Sequence, residues 1–162
     1  MKNKLIVILF LMLVLSNKIF SFEGMQIKID NYEITVPPEW LAKRADSDPN
    51  AVFYLYAPLD ENGAIRENCN LTVEKLPADI TIKELMQIVR IYLKTVYDNF
   101  TLIEEGDNYH IFSGELEGVS VQQIQFITIS DRTAYSFTCT STPEDFDCYL
   151  DIFIEIYNSF KF

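Results

Sequence analysis

Histidine is almost missing from this sequence: His110 is the only one in 162 residues. Nucleophilic catalysis needs a nucleophile, a base and an orienting group held together, so His110 would have to carry any imidazole-based site. No G-x-S-x-G run offers it a serine partner. It alternates in phase with Phe112 and Leu116 on a strand-like stretch, the setting of a partly buried structural histidine. Cysteine is scarce too, with Cys69, Cys139 and Cys148. None has C-x-x-C spacing, and one histidine cannot complete a metal site. An odd count leaves at least one thiol unpaired within the chain, and connectivity cannot be read from spacing. Cys69 runs in phase with Leu71 and Val73, and Cys139 with Tyr135 and Phe137, so both point to apolar faces.

Positive charge is short as well. Thirteen Lys+Arg stand against 24 Asp+Glu, for a formal net charge of -11. Such a surface repels nucleic acid phosphates and anionic lipid, so nucleic acid is excluded as a partner class. With only five glycines and six prolines there is no linker, repeat or low-complexity segment.

What is present begins at the N-terminus. Met1-Lys2-Asn3-Lys4 is a basic head, residues 5–15 are an unbroken apolar run, and residues 16–21 are more polar and end on Ser21. That is the layout of a secretory signal peptide. The apolar run is about half of the ~20 residues a membrane span needs. The expectation is a signal peptide at 1–21, cleavage after Ser21, one domain at 22–162, and an exported product, periplasmic or secreted, with no stable membrane insertion after processing. Lys2, Lys4 and Lys18 leave with the leader and no acid does, so the exported part is more acidic still.

Residues 25–29 and 32–36 alternate around Asp30-Asn31 and read as a hairpin. Pro37-Pro38 ends it, and residues 38–43 can make a short helical turn. Residues 51–57 and 69–76 read as strands. Residues 81–98 carry the clearest helical pattern, opened by a capping box of Thr81 and Glu84. Leu85, Ile88, Val89, Tyr92, Val96 and Phe100 form its expected buried stripe. Strands follow at 101–105, 109–116, 119–129 and 133–140, joined by turn-forming residues, which makes an antiparallel meander. Thr142-Pro143-Glu144-Asp145 opens a last helix with Phe146, Leu150, Phe153, Tyr157 and Phe160 as its stripe. The fold class expected is α+β: an antiparallel sheet of about six to eight strands with two long helices packed on it.

Three features together resemble the PsbP/Mog-type superfamily, which includes bacterial exported proteins of unknown function. One is Val36-Pro37-Pro38-Glu39-Trp40 after the first hairpin, similar to that group's P-x-W entry. Another is the order hairpin, strand pair, long helix, meander, final helix. The third is Ile156-Tyr157-Asn158-Ser159-Phe160-Lys161-Phe162, which looks like that group's terminal I-x-x-S-F-x-F helix. The resemblance implies a PsbP/Mog-like α/β sandwich whose members mostly act by binding. It brings no catalytic motif and no ligand set that matches position by position, so no cofactor and no metal are expected. A shared scaffold does not carry activity with it.

The carboxylate pairs Asp60/Glu61, Glu104/Glu105, Glu115/Glu117 and Asp145/Asp147 fall in turns, at strand ends or at a helix start, where solvation is the simplest role. Asp60-Glu61-Asn62-Gly63 lacks the register of a calcium loop. The aromatics are the remaining clue. Phe53 and Leu55 share one face of a strand, and Tyr54 and Tyr56 share the other. A helix covering only the first face would leave Tyr54 and Tyr56 as a binding surface. The reading is therefore a non-catalytic exported domain that binds a protein or envelope component. The rivals are a small-ligand or cation carrier in the envelope, and an envelope hydrolase with an unrecognised carboxylate site.

Overall fold

The computed structural model describes residues 24–46, 51–59 and 66–161. The expected leader at 1–21, the Asp60-Glu61-Asn62-Gly63 loop and Phe162 lie outside the described residues. Among the described residues are nine strands and two helices: β1 (Met25–Ile29), β2 (Tyr32–Val36), β3 (Leu41–Arg44), β4 (Ala51–Tyr56), β5 (Asn68–Lys75), α1 (Ile82–Val96), β6 (Asp98–Glu105), β7 (Tyr109–Leu116), β8 (Val119–Ser130), β9 (Thr133–Ser141) and α2 (Phe146–Ser159). β1 and β2 pair as a separate hairpin, and the other seven strands form one antiparallel sheet in the order β3-β4-β5-β9-β8-β7-β6. Strands β6 to β9 are neighbours in sequence and in space, as short turns require. The β8–β9 turn is Asp131-Arg132, both at positive φ, and the β7–β8 turn is Glu117-Gly118, where Gly118 at φ 82° carries no strain penalty.

Residue alternation decides what each sheet face carries. On one face Phe53, Leu55, Cys69, Leu71, Ile124, Phe126, Phe137 and Cys139 meet Phe146, Phe153 and Ile156 of α2 in the main core, joined by Ile34 and Val36 of the hairpin and by Trp40. Trp40 is 4 % exposed and meets Phe153 edge-on at 6.4 Å. Phe160 stacks on Tyr32 at 5.8 Å, and Glu33 and Lys161 exchange backbone hydrogen bonds, so the tail closes this layer. On the other face Leu76, Leu85, Met86, Ile127 and Ala134 form a smaller core beneath α1.

The expected helical turn at 38–43 is not there. Pro37 and Trp40 close a tight turn, with the Trp40 N–H donating to the Pro37 carbonyl at 3.0 Å, and residues 41–44 then run as edge strand β3 along β4. Pairing to an existing strand edge outweighs the local helix preference of Leu41-Ala42-Lys43. The last helix starts at Phe146 rather than at Pro143. The Thr142 hydroxyl accepts from the Asp145 N–H at 3.2 Å and shapes a turn ahead of it.

The capping box of α1 is present. Thr81 Oγ1 accepts from the Glu84 N–H at 3.2 Å, and the Glu84 carboxylate accepts from the Thr81 N–H at 2.8 Å, which holds that carboxyl below its ordinary range. The buried side of α1 differs from the expected stripe. Leu85, Met86 and Leu93 face the sheet, while Ile88, Ile91, Tyr92 and Val96 are exposed. The helix is apolar around more of its circumference than one sheet surface can cover, so periodicity alone cannot set its rotation.

Candidate binding face

The face of the sheet that carries α1 also carries polar side chains in register. Helix α1 packs against β6 and β8. Farther along this face stand Tyr54 and Tyr56 of β4, Asn68 and Asn70 of β5, Thr138 and Thr140 of β9, and Gln123 and Gln125 of β8. Two hydrogen-bonded rows cross the strands. In the first, His110 Nε2 lies 3.0 Å from Gln125 Oε1, and Gln125 Nε2 donates to Thr138 Oγ1 at 2.9 Å. In the second, the Tyr97 hydroxyl donates to Gln123 Oε1 at 2.9 Å, and Gln123 Nε2 donates to Thr140 Oγ1 at 2.7 Å. Each amide is oriented by its neighbours, so the rows make a rigid floor.

The second row opens into a groove of about 530 Å³. Asn68, Asn70, Gln123 and Thr140 floor it, Arg66 stands at one end, and Leu116 and Val119 of the β7–β8 hairpin form an aliphatic rim. Leu116 and Val119 are both exposed. Tyr54 and Tyr56 sit on the strand beside the floor, directly opposite Asn70 and Asn68. Both are half-buried, and their rings stack at 6.0 Å with planes 21° apart. The Arg66 guanidinium lies 5.3 Å from the Tyr56 ring centroid, a cation–π contact, while its Nε donates to the Ala57 carbonyl. The groove thus offers amide and hydroxyl groups beside an aliphatic rim, with one cation, Arg66, and one carboxylate, Glu117.

A second hollow, of about 590 Å³, lies by the β1–β2 turn, but its charges serve each other: Arg44 is 2.6 Å from Asp30 and 3.7 Å from Asp46.

Of the residues weighed for catalysis, Glu117 lines the groove, while His110, Glu104, Glu105 and Asp145 do not. His110 is fully buried on the α1 face of the sheet. Burial pushes its pKa down, against the upward pull of the Gln125 hydrogen bond and the Glu105 charge, with Arg90 adding to the fall. Since Gln125 Nε2 is committed to Thr138, the ring donates from Nε2, and Nδ1 is buried without a partner among the described residues. Glu105 is ion-paired with Arg90 at 2.8 Å, Glu104 accepts from the Tyr109 hydroxyl, and Asp145 accepts from Thr142 Oγ1 at 2.9 Å. The one buried carboxylate among the described residues is Glu67, 7 % exposed, accepting from Ser141 Oγ at 3.3 Å. Among the described residues no three His, Cys, Asp or Glu side chains gather as ligands for a metal ion, and no helix is long and apolar enough to cross a membrane.

The sequence singles out Tyr54 and Tyr56 but not the groove beside them. A signal was available: Gln123 and Gln125 alternate with apolar positions on one strand, and Asn68 and Asn70 do the same on another.

No family model matches the sequence, and no curated protein matches it. Solved structures do. Cyanobacterial PsbP (CyanoP) from Synechocystis sp. PCC 6803 is 15% identical with a TM-score of 0.54, over 90% of this chain and 96% of that one. LpqN of Mycobacterium tuberculosis, described as involved in cell envelope biogenesis, is 16% identical with a TM-score of 0.54, over 88% of this chain and 86% of that one. PA94 of Pseudomonas aeruginosa, a protein of unknown function, is 12% identical with a TM-score of 0.56, over 80% of this chain and 90% of that one. At these identities the likeness is one of fold.

Proposed function

We propose that this chain, which has the PsbP-like fold, works as a non-catalytic binding domain outside the cytoplasm, periplasmic or secreted. Residues 1–21 act as its signal peptide and residues 22–162 as the single domain. Its partner is a protein or envelope component, engaged through the sheet face that carries Tyr54 and Tyr56. The observation that carries this reading is the continuity of the half-buried tyrosine pair with the amide-floored groove. Aromatic rings with a polar handle are well suited to such a surface. The dispersal of the carboxylates and the burial of His110 weigh against hydrolysis. The fold likeness to an envelope-biogenesis protein supports the compartment.

The test uses the mature chain as bait in envelope extract, beside a chain carrying Tyr54→Ser and Tyr56→Ser. The expected result is one or more proteins or envelope components retained by the first and lost from the second, with both chains melting cooperatively. Equal retention by both would remove the tyrosines from the site. N-terminal sequencing of exported material is expected to begin at Phe22.

The small-ligand carrier remains the second reading, because a groove of about 530 Å³ falls within the ~300–1,000 Å³ of ligand pockets. Native mass spectrometry of the exported protein separates the two: a retained non-protein mass favours the carrier.

A further inference from the structure

Two buried thiols face each other at the seam of the sheet. The strand order places β5 beside β9, so this one pairing joins the N-terminal strands β3-β4-β5 to the C-terminal meander. Cys69 and Cys139 are direct partners in its antiparallel register, and both are wholly excluded from solvent.

The kind of pair they form follows from the ladder. The Leu76 N–H donates to the Arg132 carbonyl at 2.8 Å, one step beyond the Lys75↔Thr133 pair, so Leu76 and Arg132 form a hydrogen-bonded pair. The two pair types alternate, and the register runs without a shift to Cys69. From Leu76 to Cys69 is an odd number of steps, so Cys69 and Cys139 form a non-hydrogen-bonded pair. There the Cα atoms are about 4.5 Å apart and the side chains approach most closely. That lies inside the ~4.4–6.8 Å range of disulfides. The thiols already interact: burial first, then the hydrogen bond to Cys69, pushes the Cys139 thiol well above its ordinary range. Thiolate is therefore scarce in the folded core, and oxidation belongs to the folding chain, before α2 closes over the pair. All three cysteines are free thiols in the structure, Cys69 and Cys139 buried and Cys148 exposed on α2.

We propose that Cys69 and Cys139 form a cross-strand disulfide when the chain folds under oxidising conditions, with Cys148 left free. The thiolate of one cysteine attacks the disulfide of an oxidant, glutathione disulfide or an oxidised thiol–disulfide oxidoreductase, and displaces one of its thiols. The second cysteine thiolate then attacks the mixed disulfide and displaces the other. The protein loses two protons and two electrons, and the oxidant is reduced to two thiols. The bond closes a loop of about 70 residues across the one seam that joins the two halves of the sheet, so it restricts the unfolded chain strongly.

The test refolds the reduced full chain, and the same chain with Cys148→Ser, in a buffer of glutathione and glutathione disulfide. The expected product is about 2 Da lighter than the reduced chain. In denaturant the wild type alkylates at one cysteine and the variant at none, and a peptide map joins the Cys69 and Cys139 peptides. Adding reductant is expected to lower Tm by on the order of 10 °C. Three results overturn the proposal: both core cysteines alkylating after refolding, a bridge from Cys148 to either, or an oxidised chain that has lost its native circular dichroism spectrum.

Discussion

Tyr157 lies flat on Phe126, with ring centroids 4.0 Å apart and planes 5° from parallel. Its hydroxyl accepts from Asn108 Nδ2 at 3.1 Å and lies 3.1 Å from Thr128 Oγ1. One side chain near the end of α2 is therefore packed on β8 by its ring and tied to the sheet by its polar tip. Tyr157→Phe keeps the ring and removes the tip, and is expected to cost about 1 kcal/mol in a denaturant melt.

The rest of the tail belongs to the same layer. Deleting residues 153–162 removes Phe153 and Ile156, both fully buried, together with Tyr157 and Phe160. Each large apolar side chain is worth about 1.5–3 kcal/mol of burial, against a typical domain stability of ~5–15 kcal/mol. The truncated chain should be unfolded by circular dichroism. A cooperative melt within a few degrees of the full chain would make α2 an appendage.

Trp40 closes one end of the main core against Phe153. Trp40→Ala is expected to cost about 3–5 kcal/mol. A loss under ~1 kcal/mol, with water-like tryptophan fluorescence in the parent, would place the ring at the surface instead.

The rotation of α1 can be checked by contrast. Ile88→Lys and Ile91→Lys, on the exposed side, should shift stability by no more than about 0.5 kcal/mol. Met86→Ala and Leu93→Ala, on the sheet side, should each cost about 2–5 kcal/mol. Urea midpoints for the four variants suffice, and the reverse ranking would turn the Ile88 and Ile91 side of the helix to the sheet instead.

His110 ties stability to pH. Burial lowers its folded pKa, so on acidification the unfolded chain binds a proton near pH ~6.5 while the folded chain still holds a neutral ring. Between those two pKa values the unfolded state binds more protons, and stability falls as pH falls. The contribution is complete above the unfolded value and is lost on the way down to the folded one. The denaturant midpoint should drop between pH 7 and pH 5, and His110→Gln should flatten part of that drop. An unchanged slope in the variant would assign the whole drop to carboxylates.

Most of the secondary structure was legible along the chain because its causes are local. The β1–β2 alternation, the Thr81–Glu84 box, the turns between the last four strands and the α2 stripe each depend on residues a few positions apart. Their order was enough to bring the PsbP-like arrangement into view. Tertiary structure decided what local pattern left open. Residues 41–44 became a strand because β4 offered an unpaired edge. Helix α1 turned Leu85 and Met86 inward because Ile127 and Ala134 lay beneath them. Tyr54 and Tyr56 came to border a groove because β5, β9 and β8 happen to align Asn70, Thr140 and Gln123 on one face. The Cys69–Cys139 pairing has the same origin. Two residues about 70 positions apart meet through strand order and register, and neither can be read from the chain around each cysteine.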